Sequence, residues 1–139
     1  MHFYYEPERI VVMSIENISI GEGELEIMKV IWARGEKVST GEITKAVEEK
    51  GWKRTTVSTF LSRLVEKGAL SAEKVGNNYY YTPLISKKDY SSMRAKSLIF
   101  SLFDGSAKQL AACLFEEGNL TKKDIEELRA IFNKGEEND

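Results

Sequence analysis

The stretch from Trp52 to Gly68 constrains the fold of this chain more than any other. Its apolar residues recur with the i, i+3, i+4, i+7, i+8 spacing of one helical face. They are Val57, Phe60, Leu61, Leu64 and Val65. Gly68 follows as a stop signal, because glycine adopts the left-handed conformation that ends many helices. The pattern therefore predicts an amphipathic helix with one face buried.

The opposite face of this predicted helix carries short hydroxyl side chains. At about 100° per residue it comprises Thr55, Ser58, Thr59 and Ser62, with Thr56 and Arg63 on its flank. A helix that only faces water more often carries Glu and Lys pairs there. Short hydrogen-bonding side chains let a helix approach base edges in a DNA major groove, and Lys53 and Arg54 at its start can hold phosphates. The plain alternative is a surface helix rich in Ser and Thr.

Charge is distributed unevenly, although the net charge of the 139 residues is only −2. Residues 50–74 hold six basic side chains against two acidic ones, whereas residues 116–139 hold four basic against eight acidic ones. The excess of basic residues in the middle of the chain therefore predicts contact with an anionic partner there. The net charge of the whole chain does not reveal this excess.

Composition excludes several other classes. Cys113 is the only cysteine, which rules out an intrachain disulfide or a thiolate metal cluster and favours a reduced, cytoplasmic setting. Every apolar run is short and interrupted by charge, so we expect no transmembrane helix and no membrane partner. His2 is the only histidine, and neither a glycine-rich phosphate loop nor metal-ligand spacing is present. We therefore expect no enzyme, no metal and no cofactor.

The fold class predicted is mainly α with a small β-wing, and residues 14–84 are expected to form a winged helix-turn-helix domain. Gly21 opens a first helix that ends at Gly35, and its apolar face contains Trp32. The run Ser39–Glu42 reads as a capping box. It begins a second helix, whose predicted buried face is Ile43, Ala46 and Val47.

A β-hairpin is predicted after Gly68. Residues 69–75 and 79–82 favour strands, while Gly76, Asn77 and Asn78 between them are typical turn residues. Lys74, Asn77 and Asn78 would then lie at or near the tip of a wing, within reach of a phosphate or the minor groove. For Tyr81 we favour packing within the sheet.

Residues 85–134 are predicted to form a helical dimerisation domain. Three short helices have wide apolar faces and no sheet to cover, so a second copy of the chain is the simplest partner. The residues assigned to this contact are Tyr90, Met93, Ser97, Phe100, Phe103, Leu110, Leu114, Phe115, Ile125, Leu128, Ile131 and Phe132. Cys113 is interpreted as a buried structural cysteine on an apolar face.

The two ends are treated separately. Residues 1–13 are predicted to be a loose N-terminal arm, with the hypothesis that Met13 is the native first residue. Residues 135–139 are assigned to an acidic tail.

Three segments together resemble the penicillinase repressor family, with its BlaI-, MecI- and CopY-type repressors. They are Glu24–Trp32, Thr56–Leu70 and Tyr79–Pro83, and the resemblance extends over about residues 18 to 133. It implies a homodimeric winged-helix transcriptional repressor that binds a palindromic operator built on TACA and TGTA in double-stranded DNA. It also implies control of an antibiotic-resistance or metal-resistance operon. Lys53 and Arg54 replace a Ser-Pro helix start that is common in the family, which adds positive charge there.

The resemblance also suggests how repression ends, through a sensor protease encoded nearby that causes cleavage between an asparagine and a phenylalanine. Cys113 and Leu114 occupy those positions here, so the cleavage signal is not preserved. The C-terminal cysteine pairs of the copper repressors have no counterpart in residues 133–139. Two other functions remain as alternatives: a winged-helix protein-interaction module, and a winged-helix regulator that responds to a small molecule.

Overall fold

The structure is a computed structural model that describes residues 18–138. The predicted arm at residues 1–13, including Met13, lies outside the described residues. The described chain forms two compact units, the first ending at Met93 and the second beginning at Arg94. The predicted domain boundary was placed earlier, after residue 84.

Within the described residues the chain is mainly helical and has one small sheet. The helices are α1 (Glu22–Arg34), α2 (Thr40–Ala46), α3 (Arg54–Glu66), α4 (Lys87–Leu102), α5 (Ala107–Glu116) and α6 (Lys122–Asn138). The strands are β1 (Val38–Ser39), β2 (Leu70–Val75) and β3 (Asn78–Pro83). The predicted order of three helices followed by a β-hairpin is confirmed, and so is the mainly α fold class with a β-wing.

The first helix begins and ends as its sequence predicts. The backbone N–H of Gly21 donates to Oε1 of Glu24 at 2.9 Å, and Gly35 closes the helix in the left-handed region at φ 71°. Ile27, Met28 and Ile31 on its inner face are fully buried. This face forms the centre of the core of the first unit.

The capping box at the start of α2 is also confirmed. The Ser39 hydroxyl accepts from the Glu42 backbone N–H at 3.2 Å, and the Glu42 carboxylate accepts from the Ser39 backbone N–H at 3.3 Å. The predicted burial of Ala46 is wrong, because this side chain is exposed. Ile43 and Val47 lie four residues apart and supply the buried face without it.

The sheet has the order β1-β3-β2, with both pairs antiparallel. The hairpin register pairs Glu73 with Tyr80 and Lys74 with Tyr79, while β1 pairs Val38 with Tyr81. The two residues of β1 were not predicted as a strand. Tyr81 is half-buried against the core, which confirms its predicted packing.

The start of α4 completes the core of the first unit. The indole N–H of Trp32 donates to the carbonyl oxygen of Ile85 at 2.9 Å, and the Tyr90 ring lies 6.0 Å from the Trp32 ring. Tyr90 is only 6% exposed, and Met93 packs against the same core. The assignment of Tyr90 to a dimer contact is therefore wrong, because the first turns of α4 pack on α1. Met93, which was also assigned to the dimer contact, is partly buried against the same core.

The second unit contains the rest of α4 together with α5 and α6. Asp104 and Gly105 separate α4 from α5 with positive φ angles of 48° and 83°. The Ser106 hydroxyl accepts from the Gln109 backbone N–H at 3.1 Å, and Thr121 and Asp124 form a reciprocal cap at the start of α6. Residues 135–138 of the predicted tail continue α6 as helix.

The second unit exposes a large amount of apolar surface. Phe100 is 80% exposed, Phe132 68% and Ile131 63%. Leu114, Phe115 and Leu128 are also exposed, while Phe103, Leu110 and Ile125 are half-buried and Ser97 is exposed. Cys113 is exposed too, so its predicted burial is wrong for the single chain, since no described residue of its own unit covers it. No single helix of the described chain is long and apolar enough to cross a membrane. Helices α4 and α5 together have that length and apolar character, but the chain bends by 90° between them.

Candidate nucleic-acid interface

Backbone hydrogen bonds define both ends of helix α3, and no side chain caps its start. Lys53 occupies the N-cap position in extended conformation, and its carbonyl oxygen accepts from Thr56 and Val57 at 3.0 and 3.2 Å. At the other end Gly68 has φ 82°, and the Ala69 N–H donates to the Leu64 carbonyl oxygen at 2.9 Å. This glycine turn lets the chain reverse into β2 and so sets the wing beside α3.

The predicted hydroxyl face of α3 is present and accessible. Thr55, Ser58, Thr59 and Ser62 are exposed, while Thr56 is half-buried. Val57, Leu61 and Leu64 on the inner face are at most 1% exposed. The Thr59 hydroxyl donates to the Thr55 carbonyl oxygen at 2.8 Å, so its oxygen remains available as an acceptor.

The cations assigned to phosphate contact flank this face. Lys53, Arg54, Arg63 and Lys74 are all exposed. Within the part of the chain that the structure describes, none of the four forms an ion pair with a carboxylate. The Lys74 ammonium lies 5.9 Å from the centre of the Tyr79 ring. All four are therefore exposed cations with no carboxylate partner among the described residues.

The wing and α3 form two grooves. Arg54 at the start of α3 shares a groove of about 700 Å³ with Asn77 and Asn78 at the wing tip. Ser58 and Ser62 share a second groove, of about 580 Å³, with Tyr79 and Tyr81 of β3. The fold thus brings Arg54, Ser58 and Ser62 together with residues of the wing. The other predicted helix residues line a separate groove beside Phe60, and they are Thr55, Thr56, Thr59 and Arg63.

Helix α2 adds residues that sequence reasoning missed. The 700 Å³ groove is also lined by Thr40, Gly41, Thr44, Lys45, Glu48 and Trp52. Lys45 is exposed. Its position on the outer side of a short amphipathic helix was the only feature of the sequence that could have marked it as a contact residue. Its proximity to the wing depends on the sheet and is not visible in the local sequence.

The back of α3 rests on the first turn of α1. A Cβ atom at Gly23 would lie 2.7 Å from Cζ of Phe60, so the absence of a side chain there allows the close approach of the two helices. Phe60 in turn packs edge-on against Trp52 at 5.1 Å. The Lys67 ammonium forms an ion pair with Glu24, which is only 4% exposed.

The Glu24 carboxyl is held in its charged form by this contact. Burial favours the neutral acid, but the Lys67 ammonium, the Gly21 N–H and the nearby Arg63 charge outweigh it and hold the pKa below the ordinary value of 4.5. A carboxyl with a lowered pKa contributes stability above its unfolded-state pKa and loses that contribution as pH falls through the folded-state pKa. The Glu24 contribution is therefore fully present at neutral pH and lost below pH 4.5.

Glu24→Gln is expected to lower the free energy of unfolding at pH 7 by about 1 to 2 kcal/mol, because it removes the charge but keeps the acceptor for Gly21. As the pH falls below 4.5, the difference from the parent chain should shrink, because the Glu24 carboxyl of the parent chain becomes protonated. Denaturant unfolding followed by Trp fluorescence at several pH values measures both effects. Glu36→Gln, at an exposed glutamate, is the control. A difference independent of pH would show that the charge of Glu24 is not the stabilising feature.

The arrangement defines a class of protein. Helix α3 has an exposed hydroxyl face with exposed cations beside it, and a β-wing lies next to it. This combination constitutes a winged helix-turn-helix DNA-binding unit. Among residues 18–138, no group of three or more His, Cys, Asp or Glu side chains is placed to bind a metal ion.

Comparison with known proteins defines the family. The penicillinase repressor family model matches residues 20–134, and the chain belongs to that family of DNA-binding transcriptional repressors. It is 33% identical over 116 residues to a penicillinase repressor of Bacillus licheniformis, covering 83% of this chain and 90% of the relative. It is 28% identical over 122 residues to the methicillin resistance regulatory protein MecI of Staphylococcus aureus (strain N315), covering 88% and 99%. The chain is also similar to the solution structure of the DNA-binding domain of the repressor BlaI, with 40% sequence identity and a TM-score of 0.48. The matched region covers 52% of this chain and 89% of the BlaI domain.

Proposed function

We propose that the protein represses transcription as a homodimer that binds a palindromic operator of the TACA/TGTA type. The observation that carries this proposal is the exposed hydroxyl face of α3, flanked by Lys53, Arg54 and Arg63 without carboxylate partners in the described chain. Thr55, Thr59 and Ser62 read base edges in the major groove, and the flanking cations neutralise phosphates. The Asn77 and Asn78 amides at the wing tip contact the neighbouring backbone.

Two copies of the chain account for a palindromic site. A two-fold dimer delivers two copies of α3 to successive major grooves, about 34 Å apart along one side of the duplex. The exposed Phe100, Ile131 and Phe132 support this pairing, because a single unit leaves them in water. A dimer bound over a promoter excludes RNA polymerase and so prevents transcription.

Binding to DNA is tested directly with fluorescently labelled duplexes. One duplex carries the TACA/TGTA palindrome and a second has the same base composition in scrambled order. Fluorescence anisotropy across a range of salt concentrations should give tighter binding to the palindrome and a linear fall of log K with log salt for both duplexes. Equal affinity for the two would contradict sequence-specific reading, and no binding at low salt would favour the protein-interaction alternative.

Arg63→Ala is expected to weaken binding to the palindromic and the scrambled duplex by the same factor. It should also reduce the slope of log K against log salt by about one unit, because one phosphate contact is lost. The anisotropy titration at several salt concentrations measures this slope, and Arg34→Ala on α1 provides a comparison arginine that already pairs with Glu42 at 3.1 Å. An unchanged slope would assign Arg63 a structural role instead.

The partners and the setting follow from this function. A repressor of operator DNA acts in the cytoplasm, where the bacterial genome lies. The family implies release from the operator by a sensor protease encoded nearby, although Cys113 and Leu114 stand where its cleavage signal would be. Co-expression of the repressor with such a sensor, followed by mass spectrometry of the repressor, tests whether the chain is cut and at which bond.

A further inference from the structure

The groove between α2 and the wing tip is lined by side chains of both charges and by two side-chain amides. Lys45 and Glu48 line it from α2 and the turn that follows, and Asn77 and Asn78 line it from the wing. Arg54 lines it from the start of α3. Two cations, two amides and one carboxylate therefore meet around a volume of about 700 Å³.

We propose that this groove holds one sugar-phosphate strand of the duplex, with Lys45 neutralising a phosphate and Glu48 opposing the strand. The inference rests on the proposed function, since it concerns the same DNA complex. It adds α2 to the interface and assigns Glu48 a role that lowers the affinity for all DNA sequences.

The surroundings of Lys45 favour an external anion as its partner. Lys37, Lys50 and Lys67 of the same unit each pair with a carboxylate, whereas Lys45 forms no such pair within the described residues. It is exposed on the outer side of α2. A lysine ammonium with three donors and no internal acceptor is suited to a phosphate oxygen.

Some of the other polar groups of the groove can donate a hydrogen bond to a ligand, whereas others already donate within the protein. The Thr44 hydroxyl donates to the Thr40 carbonyl oxygen at 2.8 Å, so it does not supply a proton to a ligand in this conformation. The Asn77 and Asn78 side-chain amides are exposed and carry N–H donors. Trp52, held edge-on by Phe60 at 5.1 Å, forms an apolar part of the lining.

Continuity with the hydroxyl face of α3 favours a DNA strand over a small free anion. Thr40 and Tyr79 line both this groove and the second groove that contains Ser58 and Ser62. A duplex whose bases face Ser62 therefore has an adjacent surface for its backbone between α2 and the wing. A strand of regularly spaced phosphates fits such an extended surface, whereas a free phosphate would use only one part of it.

Glu48 is an acidic side chain on a surface that otherwise attracts phosphate. It is exposed, and within the part of the chain that the structure describes it forms no ion pair with a cation. A carboxylate close to a phosphate strand repels it, so Glu48 weakens binding without reading any base.

The test uses the full-length protein and the two duplexes described above. Lys45→Ala should weaken binding to the palindromic and the scrambled duplex by the same factor and reduce the salt slope by about one unit. Glu48→Gln should change affinity in the opposite direction and tighten both complexes. Lys45→Arg, which keeps the charge, should retain the parent slope. Lys29→Ala, which removes an exposed lysine that pairs with Glu26 at 3.4 Å, is the matched control and should leave the slope unchanged.

The outcomes separate this inference from the proposed function. If the parent chain binds the palindrome but Lys45→Ala keeps the parent slope, the strand does not occupy the groove and the repressor function stands. A loss confined to the palindrome would mean that Lys45 reads bases, which also overturns the inference. Unchanged or weaker binding by Glu48→Gln would refute the role of that carboxylate. If the parent chain binds neither duplex, the proposed function itself fails.

Discussion

Phe132→Asp is expected to raise the dissociation constant of the proposed homodimer by about 150-fold to 4,000-fold. Phe132 on α6 is 68% exposed in the single chain, and a phenylalanine that becomes buried between two copies contributes strongly to their association. An aspartate at the same position would place an unpaired charge in the contact, which costs about 3 to 5 kcal/mol. The change should therefore produce monomers at micromolar concentration.

Sedimentation velocity over a range of concentrations measures this effect. Ala130→Asp adds the same charge to the same helix, but on the side away from Ile125 and Leu128, and should leave the dimer intact. The monomeric variant should still bind a single half-site and should lose its advantage on the palindrome. Equal dissociation constants for the two variants would show that this face of α6 does not form the dimer contact.

Leu61→Ala is expected to reduce the free energy of unfolding of the first unit by about 2 to 5 kcal/mol. Leu61 on α3 is 1% exposed within the core, so its removal leaves a cavity among side chains that can relax only partly. Small domains have a total stability of about 5 to 15 kcal/mol, so the loss is a large fraction of it. Denaturant unfolding followed by the fluorescence of Trp32 and Trp52 measures the change.

Ser62→Ala provides the contrast, because the neighbouring side chain on α3 is exposed. We expect stability within about 0.5 kcal/mol of the parent chain and a weaker preference for the palindrome over the scrambled duplex. The two adjacent positions should thus separate folding from recognition. A strong loss of stability in Ser62→Ala, or none in Leu61→Ala, would mean that the orientation of α3 has been assigned incorrectly.

Much of the first unit was predictable because its signals are local. The helical spacing from Val57 to Val65 predicted both the buried and the exposed face of α3. The capping residues Ser39 and Glu42 predicted where α2 begins, since a cap bonds to amides only three residues away. The turn residues at the tip of the wing predicted the hairpin for the same reason.

Predictions failed where a residue's neighbours lie far away in the chain. Tyr90 is a large aromatic residue at helical spacing from other apolar residues, which led to its assignment to the dimer contact. It packs against Trp32 in the core instead. The two-residue strand β1 is defined only by its pairing with β3, and two residues carry too little periodicity to be recognised alone. Cys113 lies on an apolar stripe, but burial requires a covering surface that its own unit does not provide.

The amino-acid sequence by itself determined the family, the succession of helices and wing, and which side of α3 faces outward, because each depends on residues within a few positions of one another. The tertiary structure alone decided that Glu24 meets Lys67, that Phe60 lies over Gly23, and that Lys45 shares a groove with the wing tip. These contacts join residues separated by about 30 positions or more, and only the packing of α1, α2, α3 and the sheet around one core brings them together.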